Sequence, residues 1–191
     1  KDMGMKLVAE YAERFGVYDK MLPVLSMTLG AGETTDMRMV SAFAVFANGG
    51  RSIKPSLIDR IQDRFGKTIF KHDERGCEGC AATSWLDQAE PELVDNRDQV
   101  LDPMTAYQVT SMLEGVVQRG TAANIRDIGF PVAGKTGTTN DYVDAWFVGY
   151  TGNYVGAVWY GNDDYSTMNK MTGGTVPAMT WQKFMSYAHQ N

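Results

Sequence analysis

The sequence predicts an α+β fold, on three observations. Apolar residues recur with helical spacing through much of the chain before residue 120, three strand-like runs follow one another between residues 131 and 161, and a last helical pattern covers residues 176–189. Because no helical pattern separates the three strands, we expect an antiparallel sheet packed with helices rather than alternating β-α units.

Four helices are predicted, each with apolar side chains at every third or fourth position. A threonine caps the second helix. The third begins at Asp102-Pro103, because aspartate is a favourable cap and proline already has the backbone angle of a first helical residue. Glycine follows each of the first three helices as a stop signal. The predicted limits are residues 2–15, Thr34 or Thr35 to Gly49-Gly50, 102–120 and 176–189.

Short β-branched and aromatic runs predict the strands. The last two strands of the meander are joined at Gly152-Asn153, which is favourable chemistry for a two-residue hairpin turn. A separate β-hairpin is predicted at residues 57–71, where two short apolar runs flank a turn that contains Gly66. The three strands of the meander are predicted at residues 131–138, 145–151 and 154–161.

Composition limits the class of protein. The 191 residues have a formal net charge of −5, with 43% hydrophobic and 21% charged residues, which is typical of a globular domain. The longest apolar stretch, residues 42–47, is far shorter than the ~18 residues of a membrane helix. No basic block is present, so nucleic acid is not an expected partner. Residues 21–33 predict an irregular loop, and the polar, acidic residues 72–100 predict a surface insertion.

The segment from Gly129 to Thr139 contains two overlapping motifs. Its glycines with Lys135 and Thr136 satisfy the spacing of a phosphate-binding loop. That loop needs a helix directly after it, whereas Gly137 and the threonines that follow favour a strand. We therefore discount nucleotide hydrolysis. The second motif is Lys135-Thr136-Gly137 on a strand, and it favours chemistry on a peptide.

A lysine, a glycine and several threonines on one strand can bind a peptide that ends in a carboxylate. Lys135 supplies a cation for the carboxylate. Gly137 has no side chain, so that a peptide can lie against the strand backbone. Thr136, Thr138 and Thr139 supply hydroxyl donors. A backbone N–H just past Gly137 can stabilise an oxyanion.

Four ordered blocks of the chain resemble the transpeptidase domain of class A, bifunctional penicillin-binding proteins, and the similarity covers nearly all of the chain except roughly residues 72–100. The resemblance implies a penicillin-binding/β-lactamase-like transpeptidase fold, of which this chain is the C-terminal part. The blocks are residues 41–50, 115–121, 134–150 and 172–174.

The resemblance implies a D,D-transpeptidase of peptidoglycan. In this family a serine attacks a stem peptide ending in D-Ala-D-Ala, the acyl group passes to an amine of another stem, and β-lactams trap the same serine. The resemblance also implies that Lys135 and Thr138 are catalytic and that Thr136, Gly137 and Thr139 contact substrate. No cofactor or metal is expected. The implied location is the periplasm, with a membrane anchor and a glycosyltransferase domain upstream.

Two motifs of the family are missing. None of the eight serines begins S-x-x-K, the nucleophile motif, or S-x-N, the second motif. Thr167 and Lys170 have the spacing of the nucleophile motif, but they follow the strands, and we discount them as a nucleophile and its lysine. We therefore expect residues 1–191 to be part of a transpeptidase domain that is inert alone and is not acylated by penicillin. Residues 154–161 are expected to form an exposed apolar edge, which associates with an N-terminal part of the domain or with another copy.

Cys77 and Cys80 form a lone C-x-x-C within the predicted insertion. A local disulfide is favoured in an oxidising periplasm, while free thiols and a metal site stay open. Asp163-Asp164 is interpreted as a solvated turn. The aromatic residues of the last two strands are interpreted as sheet packing rather than sugar stacking. The alternative functions are a β-lactamase or carboxypeptidase and a non-catalytic penicillin-binding-like module for binding or assembly.

Overall fold

The computed structural model describes residues 2–77, 79–80, 83–84 and 86–190. These residues divide into two units, which are residues 1–53 with 99–191 and residues 54–98. No helix among them is both long enough and apolar enough to cross a membrane. In chain order the elements are α1 (Met5–Arg14), α2 (Asp36–Ala47), β1 (Arg60–Gln62), β2 (Thr68–Lys71), α3 (Pro103–Arg119), β3 (Ala133–Thr138), β4 (Asp144–Tyr150), β5 (Val155–Gly161) and α4 (Val176–Ala188).

All four predicted helices are present. The side chain of Thr35 caps α2 and that of Asp102 caps α3, each by accepting a hydrogen bond from the backbone N–H three residues later. Helix α1 begins at residue 5 rather than residue 2, because Gly4 has a φ of 77°, far from the helical region. Within the loop predicted at residues 21–33, Leu25–Leu29 form a short 3-10 helix.

The predicted meander is a three-stranded antiparallel sheet in the order β3-β4-β5. Thr138 pairs with Ala145 across β3 and β4, and Gly149 pairs with Gly156 across β4 and β5. Strand β3 continues through Lys135, and no α-helix lies between it and β4. The phosphate-loop alternative therefore fails, because its lysine would have to lie at the start of a helix.

Helix α4 packs against β4 and β5, and its Trp181 is only 1% exposed. The indole lies on the cross-strand pair of Gly149 and Gly156, where a Cβ at Gly149 would lie 3.1 Å from Cζ2 of the indole. The ring meets Phe147 edge-on, with 5.2 Å between centroids. The indole N–H donates to the carbonyl oxygen of Gly156 at 3.1 Å. Two glycines thus let a large aromatic ring pack directly onto the sheet.

Helix α3 packs along β3. Its Thr110 hydroxyl lies 2.7 Å from the hydroxyl of Tyr150 on β4. Burial raises the pKa of the Tyr150 phenol, although the hydrogen bond with Thr110 acts in the opposite direction. Near the end of the helix, Val117 and Ile125 join the same buried cluster as Trp181. The end of α3 therefore shares one hydrophobic core with β4 and α4.

The unit of residues 54–98 contains the predicted hairpin, in which Ile61 of β1 pairs with Phe70 of β2. The carboxylate of Asp63 closes the turn by accepting hydrogen bonds from two backbone N–H groups at 2.8 and 3.0 Å. Further along, hydrogen bonds from Arg75 hold the pKa of the Asp73 carboxyl well below its usual range. The unit thus joins the hairpin to most of the segment predicted as an insertion, and the insertion's limits at 72–100 stay a prediction.

Candidate active site

Strand β3 contains Lys135, Thr136, Gly137 and Thr138, and Thr139 follows it directly. The five residues predicted for substrate binding and catalysis are consecutive in the sequence, and the structure places them on this strand and directly after it. Among the described residues β3 pairs only with β4, so that it lies at the edge of the sheet. An edge strand presents unpaired backbone N–H and C=O groups, and an extended peptide can bind there as an added strand.

The hydrogen bond from Thr139 N–H to the carbonyl oxygen of Asp144, 3.0 Å long, shows which backbone groups face this edge. In an antiparallel pair, residues that exchange hydrogen bonds alternate with residues that do not. Every second residue back from Thr139 is therefore hydrogen-bonded to β4. The backbone N–H and C=O groups of Gly137 face β4, whereas those of Thr136 and Thr138 face the open edge. The N–H of Thr138, the group predicted to bind the oxyanion, therefore lies on the open side.

The ammonium of Lys135 lies at the same edge. The side chain is exposed, and Nζ donates a hydrogen bond to the carbonyl oxygen of Thr136 at 2.8 Å. Since this carbonyl group faces the open edge, the ammonium lies where an added strand would pair with β3. A cation at this place can attract a carboxylate.

The hydroxyl groups of Thr136 and Thr138 have partners on two other segments. Thr136 Oγ1 lies 2.7 Å from Oγ1 of Thr121, which follows α3. Thr138 Oγ1 accepts a hydrogen bond from the N–H of Gly173, in the loop that precedes α4, at 3.1 Å. Sequence analysis placed Thr121 and Gly173 in family-like blocks but assigned them no role. The one signal in the sequence was that each of the two residues stands beside a glycine near the end of a helix. Glycine permits the close approach of a neighbouring segment.

The hydroxyl of Thr139 belongs to the turn between β3 and β4. Its Oγ1 accepts a hydrogen bond from the N–H of Asp144 at 2.7 Å. The carboxylate of Asp144 in turn accepts one from the indole N–H of Trp159 at 2.9 Å. These bonds hold the end of the hairpin together, and the substrate contact of Thr139 stays a prediction. The pair Asp163-Asp164 is exposed after β5, as expected for a solvated turn.

Gly137 has close neighbours on both faces of the strand. A Cβ at this position would lie 3.2 Å from Cβ of Trp146, the residue opposite on β4. On the other face the backbone of Gly173 approaches, because its N–H reaches Thr138 and side chains alternate along a strand. A side chain at residue 137 would press on Trp146, which would have to move slightly to accommodate it.

Cys77 and Cys80 lie in the unit of residues 54–98, and the structure joins them in a disulfide with 5.6 Å between Cα atoms. This agrees with the favoured interpretation of the C-x-x-C rather than with free thiols. Across the described part of the chain, no group of three or more histidine, cysteine, aspartate or glutamate residues could hold a metal ion.

The state of these cysteines can be measured directly. We expect the chain from an oxidising compartment, prepared without reductant, to take up no alkylating reagent before reduction and two equivalents after it. The variant Cys77→Ser should take up one equivalent before reduction, because its remaining thiol has no partner in the chain. Two reactive thiols in the unreduced, folded protein would contradict the disulfide.

The chain is similar to known proteins along nearly its whole length. The family "Penicillin binding protein transpeptidase domain" matches residues 1–186. Penicillin-binding protein 1A of Rickettsia bellii is 39% identical over 192 residues, which is 99% of this chain and 24% of that protein. This chain thus spans about a quarter of the length of that relative.

Solved structures show the same fold. Penicillin-binding protein 1A from Haemophilus influenzae is 25% identical with a TM-score of 0.78, over 98% of this chain and 31% of that one. PonA1 from Mycobacterium tuberculosis in complex with penicillin V has a TM-score of 0.74 at 22% identity, over 96% of this chain and 50% of that one, and indicates the fold alone. The α+β prediction and the resemblance seen in the sequence are confirmed, and the chain belongs to the penicillin-binding protein transpeptidase family.

Proposed function

We propose that this chain supplies the peptide-binding strand of a D,D-transpeptidase that binds penicillin and cross-links peptidoglycan stem peptides at the extracytoplasmic face of the membrane. The observation that carries the proposal is the open edge of β3. There the ammonium of Lys135, the N–H of Thr138 and the hydroxyl of Thr138 lie along one exposed strand. Family membership over residues 1–186 supports it.

In the proposed complex a stem peptide pairs with β3 as an added strand. Its terminal carboxylate meets the ammonium of Lys135 and the hydroxyl of Thr138, both of which are exposed hydrogen-bond donors. The N–H of Thr138 donates to the scissile carbonyl oxygen as negative charge develops on it. Lys135 and Thr138 therefore act as catalytic residues, while Thr136 and Gly137 shape the strand that the peptide contacts.

The reaction is acyl transfer through a serine ester. The serine oxygen forms a bond to the carbonyl carbon, the C–N bond to the terminal D-Ala breaks, and the leaving amine takes up a proton. An amine of a second stem then attacks the ester, and the serine oxygen leaves with a proton. A β-lactam acylates the same serine.

The nucleophile has to come from elsewhere in the protein. None of the eight serines in the 191 residues is followed by lysine three positions later, and none begins S-x-N. We therefore propose that a preceding segment supplies both motifs and completes the transpeptidase domain. A glycosyltransferase domain and a membrane anchor, also upstream, belong to the same proposal.

Labelling with a fluorescent penicillin tests this function. We expect no covalent label on the 191-residue chain, and a label on the serine of S-x-x-K in a longer protein that contains this chain. Mass spectrometry of the labelled peptide identifies the residue. A covalent label on the 191-residue chain would show that its own residues suffice. If the longer, folded protein has both motifs but takes no label, the alternative of a non-catalytic binding or assembly module is preferred.

A further inference from the structure

We propose that Gly173 is a positioning residue that orients the hydroxyl of Thr138 towards the ligand carboxylate. A threonine hydroxyl has one proton to donate and two lone pairs that can accept. The N–H of Gly173 occupies one lone pair of Thr138 Oγ1, at 3.1 Å. Within the part of the chain that the structure describes, no acceptor takes the remaining proton. That proton is therefore free to point to the exposed edge of β3.

The neighbouring threonines differ in this respect. The hydroxyl of Thr136 is paired with that of Thr121, and the hydroxyl of Thr139 is bonded to the backbone of Asp144. Of the three threonines at this strand, Thr138 is the one whose described partner, a backbone N–H, cannot accept its proton. A hydroxyl held in this way is prepared to donate to an anion, because its orientation is set before the ligand arrives.

Residue 173 has to be glycine because the structure leaves no room for a Cβ there. A Cβ there would lie 2.5 Å from the carbonyl oxygen of Gly137 and 2.9 Å from its nitrogen, and closer still to the carbonyl oxygen of Trp146. All three are backbone atoms of paired strands, so a Cβ at residue 173 would displace the loop rather than the sheet. The loop therefore rests directly on the backbone of β3 and β4, and that contact brings the N–H within reach of Thr138.

The position of Gly173 is itself fixed by α4. Its carbonyl oxygen accepts a hydrogen bond from the N–H of Ala178, in the first turn of the helix, at 3.2 Å. The hydroxyl of Thr175 donates to the carbonyl oxygen of Thr172 at 2.7 Å and closes the turn around the two glycines. Because α4 is anchored in the core through Trp181, the direction of the Gly173 N–H is set by the fold rather than by the ligand.

The hydrogen bond can be tested in the 191-residue chain without any reaction. Thr138→Val removes the acceptor and keeps the shape of the side chain, whereas Thr138→Ser keeps the acceptor. We expect amide hydrogen exchange of Gly173, followed by NMR, to be about tenfold faster in the valine variant and little changed in the serine variant. Equal exchange of the Gly173 amide in the wild-type and valine proteins would overturn the proposal.

The effect on the ligand rests on the proposed function and is tested in the longer protein with its serine. We expect Gly173→Ala to slow acylation by a penicillin about tenfold, because the Thr138 hydroxyl is no longer oriented towards its carboxylate, and to slow acylation by the penicillin's methyl ester less than about twofold. In a protein that already carries Thr138→Val, adding Gly173→Ala should not change the ratio of the acylation rates with the acid and the ester any further. The control is Gly152→Ala, where a Cβ meets nothing within 4 Å.

The outcomes are distinguishable. Equal slowing with acid and ester would overturn the positioning role and leave Gly173 as a packing residue. If Gly173→Ala fails to fold, the variants Thr138→Val and Thr138→Ser replace it. The ratio of their acylation rates with the acid and with the ester decides whether the Thr138 hydroxyl recognises the carboxylate. The hydrogen-exchange experiment decides whether the Gly173 N–H holds that hydroxyl. If the wild-type longer protein is not acylated at all, the proposed function fails, while the exchange experiment still decides the contact.

Discussion

Replacing Lys135 with alanine is expected to slow penicillin acylation of the longer, serine-containing protein by about 10- to 100-fold, because a hydrogen bond between charged groups contributes about 1.5–3 kcal/mol. The physical reason is the loss of the cation at the open edge of β3, where the ammonium now lies 2.8 Å from the Thr136 carbonyl oxygen. The rate is measured with a fluorescent penicillin under pseudo-first-order conditions.

The same substitution should leave the fold intact. Lys135 is exposed, and exposed substitutions usually change the free energy of unfolding by less than about 0.5 kcal/mol. The matched control is Lys183→Ala on α4, which removes another exposed lysine away from β3 and should leave the acylation rate unchanged. An unchanged acylation rate in Lys135→Ala would remove this residue from the catalytic machinery.

Replacing Trp181 with alanine is expected to lower the free energy of unfolding by about 3–5 kcal/mol, as for other large aromatic residues in a core. The indole is 1% exposed, lies on Gly149 and Gly156, and packs edge-on against Phe147. Because the glycines have no side chains that could fill the space, a cavity remains over the centre of the sheet. Urea unfolding of the 191-residue chain, followed by circular dichroism, measures the change.

Two variants on the same helix separate the causes. Trp181→Phe keeps a ring but removes the donor to the Gly156 carbonyl oxygen, and should cost about 1–2 kcal/mol. Phe184→Ala removes a ring that is 65% exposed and should cost less than about 1 kcal/mol. If Trp181→Ala destabilises no more than Phe184→Ala does, α4 does not hold the sheet in the way described.

Local sequence signals predicted the secondary structure well, because they act between residues that are close along the chain. Thr35 and Asp102 cap their helices through N–H groups three residues away, and Gly152-Asn153 lies in the turn between β4 and β5. The exceptions are also local. The late start of α1 follows from the φ of Gly4, and the 3-10 helix of Leu25–Leu29 ends at Gly30 in the left-handed region; periodicity reveals neither angle.

The candidate site also has features that local sequence signals predict and features that they do not. The motif Lys135-Thr136-Gly137 was enough to predict a candidate peptide-binding strand, since its residue types indicate a cation, a bare backbone and hydroxyl donors. Its place at the edge of the sheet came from the structure, in which β3 pairs only with β4 among the described residues. The turn role of Thr139 was not foreseen, because it depends on hydrogen bonds with Asp144 across the hairpin.

The residue types of this chain were enough to indicate its helices and strands, its family and its candidate strand, because those features depend on short-range spacing and motif chemistry. The hydrogen-bond partner of each threonine hydroxyl could be found only from the tertiary packing. Gly173 is 35 residues from Thr138, and it reaches that hydroxyl because Trp181 holds α4 on a sheet whose glycines leave room for the ring. Contacts of this kind arise from core packing between distant segments, which no local pattern in the sequence encodes.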